Sequence, residues 1–355
     1  MDMFTFLLLA PFFLWASGTH VLAAGQIPLA SVAASFSLTT STVMPYPSAT
    51  QSASDTSSFI ASQWSLSKGH IQNGDTNVAF VNDPFPNSPA PGATVSNTSG
   101  PVLQVTYAAG TYGSADSGAQ WYSLWNTTDG SQFQSMLLSY ELAFDSNFNW
   151  VQGGKLPGLR GGTDVNDCSG GAQPNGTNCF STRLMWRKKR ARRRYKRIYA
   201  YMLTPNNMCS DSNIICNSDY GVSIDRGSFG FETGHWCRIT LLVQLNNASG
   251  VANGNIILYF NDVQVISQQN LYFRTVNDFA IGGLYFSTFF GGDDSSWATP
   301  QTVHTYYRNI QMWGSSSPSL LSGQTINAAL CSSCRFGSIV WTLSTSVLLT
   351  LFIYL

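Results

Sequence analysis

With 355 residues the chain has room for one large domain or two small ones, and its 44% hydrophobic content is enough for a real core. Aromatic residues make up 13%, glycines number 31 and charged residues reach only 10%, a balance that favours short strands and turns over solvent-facing helices. The formal net charge is zero, which excludes a global field that would draw nucleic acid or an acidic polymer; nine of the 18 Lys and Arg are instead packed into 187–197.

From the start of the chain, residues 1–24 read as a secretory signal peptide. An apolar FLLLAPFFLW run precedes VLAA, a small-residue cleavage pattern, although the leading residues carry Asp2 and no Lys or Arg. Residues 25–58 are rich in Ser, Thr, Ala and Pro, almost uncharged, and read as a linker or stalk that cannot fold alone. The globular domain is expected over 59–314, where short apolar and aromatic runs recur between Gly, Asn, Asp and Pro clusters. SMLLSYELAF places Leu138, Tyr140, Leu142 and Phe144 on one face, and WCRITLLVQL does the same for Cys237, Ile239, Leu241, Val243 and Leu245. NIILYFNDVQVI reads as two strands joined by a turn at Asn261 and Asp262, and TYYRNIQMW as a further strand. No sustained helical period and no internal repeat stands out. The expected architecture is therefore all-β, a two-sheet antiparallel β-sandwich of the jelly-roll kind. Residues 315–336 read as a small-residue spacer. Residues 337–355 form a hydrophobic tail, either a glycolipid-anchor signal with attachment near Asn327, the preferred reading, or a single membrane span.

Seven cysteines agree with secretion, two of them, Cys331 and Cys334, lying near the tail. Cys168 with Cys179 and Cys209 with Cys216 are spaced to close small loops, while Cys237 is expected as a buried thiol. Asn97, Asn126, Asn175 and Asn247 head glycosylation sequons. No zinc spacing occurs among the cysteines and four histidines, and Asp293 and Asp294 suit a solvated turn better than a calcium site, so no metal or other cofactor is expected. The chain is expected to be a secreted or cell-surface monomer tethered to the membrane by its tail or a lipid.

The stretch from Lys155 to Tyr201 concentrates the chemistry. In STRLMWR, strand alternation puts Ser181, Arg183, Met185 and Arg187 on one face, and in YAYML it puts Tyr199 and Tyr201 on one face. As neighbours, the two strands would line one polar surface. Lys155 lies in GGKLPGLRGG, where Gly153, Gly154, Gly161 and Gly162 would let backbone approach a ligand. The plain alternative is that Arg183 pairs with a carboxylate and the tyrosines are ordinary strand aromatics.

GGKLPGLRGG, CFSTRLMWR, YAYML, DYGVSIDRGSFGFETGHW and GLYFSTFFGG follow one another in an order that resembles the alginate and glucuronan lyases of polysaccharide lyase family 14, over roughly Trp64 to Trp313. The resemblance implies a β-sandwich lyase that cuts polyuronates by β-elimination, glucuronan being preferred to alginate as substrate. It also implies functional Lys, Ser, Arg and paired Tyr at Lys155, Ser181, Arg183, Tyr199 and Tyr201. Removing the C5 proton beside a carboxylate requires that charge to be neutralised. Arg183 and Lys155 suit this task, with Arg187 as a further substrate contact. Tyr199 and Tyr201 would act as base and acid, in either order, if nearby cations lower a tyrosine pKa from about 10. Ser181 would position substrate, and the scheme needs no metal.

The link between the two strands, KKRARRRYKR, is longer and more cationic than the family pattern. It reads as a hairpin gripping a polyanion, a dibasic processing site, or a tolerated insertion or gene-prediction artefact; its Tyr195 is a third tyrosine candidate. Asp225 and Arg226 are expected to pair locally, and His235 and His304 to be structural. Glu141 and Glu232 show no spacing that would join them as a glycosidase pair. The competing function is a non-catalytic β-sandwich that binds acidic glycans at the cell surface.

Overall fold

The computed structural model describes residues 25–164, 167–187, 196–205, 207–247 and 250–326. The signal-peptide and tail readings, Asn327, Cys331, Cys334, Tyr195 and the basic residues 188–195 lie outside them. The first elements are α1 (Leu29–Ser35), β1 (Thr40–Val43), α2 (Ala53–Gln63), β2 (Val78–Val81), β3 (Val102–Tyr107), α3 (Gly113–Asp116) and β4 (Ala119–Leu124). The central strands are β5 (Ser135–Phe144), β6 (Gly153–Gly162), β7 (Cys179–Arg187), β8 (Lys196–Tyr201), β9 (Ile214–Ile215) and β10 (Val222–Ile224). The chain continues through β11 (Cys237–Gln244), β12 (Val251–Ala252), β13 (Gly254–Phe260), β14 (Val263–Leu271), β15 (Ile281–Phe290), β16 (Val303–Ser315) and β17 (Gln324–Thr325).

Two antiparallel sheets form the expected sandwich. One runs β14-β13-β11-β5-β16-β3-β2, with β1 added to β16; the other runs β4-β15-β6-β7-β8-β10-β9. Alternating residues of both sheets fill the space between them. Met136, Leu138, Tyr140, Leu142 and Phe144 of β5 share that core with Cys237, Ile239, Leu241 and Val243 of β11. Leu156, Leu184, Trp186, Ile198 and Ala200 come from the opposite sheet. Trp186 makes edge-on contacts with Tyr107, Phe148 and Phe290, and each such fully buried ring stabilises the fold by roughly 2 kcal/mol or more. Cys237 is a buried thiol whose Sγ donates to the Leu142 carbonyl at 3.3 Å. The Asn261–Asp262 hairpin forms as expected: both residues take positive φ, 51° and 65°, and Phe260 pairs with Val263 across the turn.

Residues 25–58 are not a linker. Leu29, Val32 and Ala33, spaced i, i+3, i+4, form an apolar stripe on α1 that packs on Leu137, Leu242, Ile257 and Tyr259, the outer face of the first sheet. β1 pairs with β16 from Thr40↔Gly314 to Val43↔Gln311. α2 is a helix that no long period announced; Ser52 caps it by accepting from the Asp55 amide, and Thr56 and Ile60 are buried. The segment cannot fold alone, as its composition says, but it folds by docking. The body also runs past 314 into the expected spacer: Ser319 is buried, its amide donating to Leu245 O at 3.0 Å, and β17 pairs with β12.

The outer face of the first sheet is closed by a buried ionic network. Glu141 accepts from Arg238 and Arg308, both at 2.7 Å, and Arg238 also reaches Asp262 at 2.9 Å. Glu141 is thus committed to structure. The outer face of the second sheet, by contrast, is the open one, and it carries the residues singled out above.

Candidate active site

Register fixes the site. β6, β7 and β8 are adjacent, and their pairing puts Lys155 beside Met185 beside Arg197, then Arg183 beside Tyr199, then Arg160 beside Ser181 beside Tyr201. Every second residue of β7 and β8 points away from the core, so Arg183, Met185, Arg197, Tyr199 and Tyr201 stand on one face. With Lys155, Arg187, Gln120 of β4 and Arg226 beyond β10, they line a cleft of about 440 Å³. Among the described residues five cationic side chains face this cleft and one carboxylate, Asp293, shares it.

The Lys155 ammonium lies 3.9 Å from the centroid of the Tyr199 ring and donates to Met185 Sδ at 3.2 Å. Burial first, then Arg183, Arg197 and Arg187, hold it well below the ordinary lysine value. Tyr199 accepts from the Gly221 amide at 2.9 Å and sits 3.5 Å, hydroxyl to hydroxyl, from Tyr201. Burial, then the hydrogen bond with Tyr201, push its pKa above the usual tyrosine value. The expected lowering of a site tyrosine by cations therefore does not occur at Tyr199. It occurs at Tyr285, where burial pushes upward but Arg183 and Arg160 outweigh it. Tyr285 is 1% exposed and lies behind the cleft wall. Arg183 is buried; its Nη1 donates to Ser287 Oγ at 3.0 Å, and Ser287 in turn donates to Gln120 Oε1 at 2.9 Å. Among the described residues its Nε has no partner.

Two cross-linked loops wall the cleft. The Cys168–Cys179 disulfide clusters with Met185, Tyr199 and Tyr201, and the Gly171 amide donates to the Tyr201 hydroxyl at 3.0 Å. The second disulfide, Cys209–Cys216, ties the loop that leads to Tyr220. Gln173 bridges the loops by donating to Tyr220 O at 3.2 Å.

Several expectations change. Ser181 is fully buried and donates to the Cys168 carbonyl at 2.6 Å, so it secures the loop instead of meeting substrate. The β6 glycines admit protein, not ligand. A Cβ on Gly154 would lie 2.1 Å from the Trp186 ring, one on Gly161 would lie 2.1 Å from Ala280 O, and Gly153 and Gly162 are similarly crowded. Arg187 does face the cleft, its guanidinium 4.5 Å from the Trp297 ring centroid. Arg226 turns into the cleft toward Ser223 rather than pairing with Asp225. His304 binds Asp145 at 2.9 Å, outside the cleft residues. All four sequon asparagines are exposed. Among the described residues no group of three or more His, Cys, Asp or Glu could hold a metal. Sequence reasoning missed Gln120, Ser287, Arg197 and Arg226 as site members. Only Arg197 carried a usable signal, standing two residues before Tyr199 on the same strand face.

A model of the family described as polysaccharide lyase 14 matches residues 95–310. None of the curated proteins compared matches. Among solved structures, the chain is similar to the marine PL-14 alginate lyase from Aplysia kurodai, at 29% identity and a TM-score of 0.61 over 77% of this chain and 100% of that one. The alginate lyase Aly36B shares the fold at 20% identity and a TM-score of 0.54, over 77% of this chain and 96% of that one.

Proposed function

The chain belongs to polysaccharide lyase family 14 and is a polyuronate lyase acting by β-elimination; from that premise we propose that Lys155 is the base and Tyr199 the acid. The observation that carries this assignment is their contact in one cleft, the Lys155 ammonium 3.9 Å from the Tyr199 ring centroid, where burial and the arginines shift the lysine down and burial and Tyr201 shift the tyrosine up. A lysine whose charged form is disfavoured by burial and neighbouring arginines takes a proton more readily as a neutral base, and a tyrosine whose ionisation is disfavoured can give one. Arg183, which lines the cleft with a planar fork of donors and no carboxylate partner among the described residues, meets the substrate carboxylate and stabilises the enolate-like charge as it develops.

The step balances without water. Lys155 removes the proton from C5, the C5–H electrons become the C4–C5 double bond, and the C4–O bond breaks. Tyr199 protonates the departing glycosidic oxygen. Base and acid stand on one wall of the cleft, so proton and leaving group depart from the same face of the sugar. Tyr201, fixed by the Gly171 amide, holds the Tyr199 hydroxyl in place.

Alginate is the first substrate to test, because the similar Aplysia enzyme acts on it; this reverses the preference for glucuronan. Arg183 does the neutralising work that a divalent ion would otherwise do, and a chelator is expected to leave the rate unchanged. Loss of turnover in chelator, restored by a divalent ion, would contradict this metal-independent scheme. Two disulfides and exposed sequons support a secreted or cell-surface location. The apolar segment 337–355 supports a membrane tether. The assay is the ultraviolet absorbance of unsaturated uronate ends released from alginate. Lys155→Ala is expected to lose roughly a thousandfold in kcat; a variant as active as the wild type would overturn the base assignment.

A further inference from the structure

The catalytic scheme brings Lys155, Arg183 and the tyrosines to the cleaved uronate and gives three further cations of the same cleft no contact with it, although two of them, Arg187 and Arg197, help to hold Lys155 down. Arg187 ends β7, Arg197 is the second residue of β8, opposite Met185, and Arg226 follows β10, whose Ile224 pairs with Ile198 of β8. All three line the cleft, and among the described residues no carboxylate lies within ion-pairing distance of any of them. Arg197 is the best buried, at 5% exposure. Among the described residues its Nη2 meets the sulfur of Met185, at 3.3 Å, and its Nε has no partner. Arg187 is held in place by the Trp297 ring. A buried guanidinium without a counter-ion is costly, and the half-buried Arg187 and exposed Arg226 nearby add repulsion to the burial of Arg197. Burial first, with Arg187 and Arg226 adding to it, pulls the Arg197 pKa down to about 9. At neutral pH it remains a cation.

We propose that Arg187, Arg197 and Arg226 form a second anion site, which holds the carboxylate of the uronate next to the one being cleaved. The proposal rests on the polyuronate-lyase reading and narrows its substrate to runs of consecutive uronates. Position supports it. Arg197 stands one two-residue step along β8 from Tyr199, about 7 Å, a displacement on the scale of one sugar unit. Guanidinium forks suit a carboxylate, whereas a neutral sugar would leave all three charges uncompensated. Arg226 is exposed, so it can be changed without disturbing the fold.

The test compares the full chain with Arg226→Gln and Arg197→Gln on alginate and on alginate whose carboxyl groups have been partly reduced to neutral alcohols, which keeps the linkages and removes charge from neighbours. On alginate Arg226→Gln is expected to raise KM about tenfold, the loss of one charged hydrogen bond, with a much smaller change in kcat; Arg197→Gln is expected to raise KM similarly and also to move the acid limb of kcat upward, because Arg197 helps to hold Lys155 down. On the reduced polymer the wild type should lose that advantage and approach Arg226→Gln. Unchanged KM in the folded Arg226→Gln variant, or an equal penalty on both polymers, would overturn the second site and leave the lyase assignment standing. A wild-type chain that releases no unsaturated ends from any polyuronate would overturn the lyase assignment itself, and this site with it.

Discussion

Met185 accepts hydrogen bonds from both Lys155 and Arg197 while offering them no negative charge. A thioether there lets the lysine stay depressed; a carboxylate would hold it protonated. Met185→Glu is therefore expected to move the acid limb of kcat/KM upward by about one pH unit or more. An unmoved limb would show that Lys155 is not the group titrating. The sign of the wild-type profile follows from the same two residues. Below the lowered Lys155 pKa the base carries its proton and the rate falls; above the raised Tyr199 pKa the acid has lost its proton and the rate falls again. The alkaline limb should thus lie above the ordinary tyrosine value. Much of this was legible from alternation in STRLMWR and YAYML, which put Arg183, Arg187, Tyr199 and Tyr201 on one surface. The direction of each pKa was not, because it depends on which strands flank β7 and β8 and how deeply the loops bury them. Ser181 shows the same limit: its face was right, but its partner is a carbonyl of the covering loop. Ser181→Ala should lower stability by about 1 kcal/mol and leave the pH profile where it was.

The elements that sequence reading caught are those whose partners lie on the same pattern, such as β13 and β14 across the Asn261–Asp262 turn. α1 and β1 escaped because small residues dilute their apolar positions, and the stripe Leu29, Val32, Ala33 gains meaning only against Leu137 and Tyr259 of a distant sheet. Leu29→Ala should cost about 2–3 kcal/mol of stability with kcat unaffected, since this face lies on the other side of the sandwich from the cleft. The Cys168–Cys179 loop makes the contrasting case. Replacing both cysteines by Ser should cost about 3 kcal/mol and also lower kcat, because the same loop supplies the Gly171 amide that fixes Tyr201. Thermal melts set beside turnover separate the two. A double-Ser variant with full kcat would mean that the loop is not part of the site.

At the scale of the molecule, a chain of zero net charge presents one strongly cationic cleft. The opposite sheet face neutralises its arginines internally through Glu141, Asp83 and Asp262, so among the described residues the uncompensated arginines gather on the side where a polyuronate would lie. Activity should fall as ionic strength rises, through KM, because the attraction acts over a screening length of about 10 Å at 0.1 M salt. Composition announced the sandwich but not this division of charge, which arises from how the two sheets are oriented. The central claim is that the cleft eliminates across a uronate linkage with Lys155 as base. Its most direct measurement is the ultraviolet absorbance of unsaturated ends when alginate is incubated with the full chain and with Lys155→Ala. The expected result is a steady rise for the wild type and a loss of roughly a thousandfold in the variant. Absence of any rise with the wild type on every polyuronate, or an equal rise with Lys155→Ala, would contradict it.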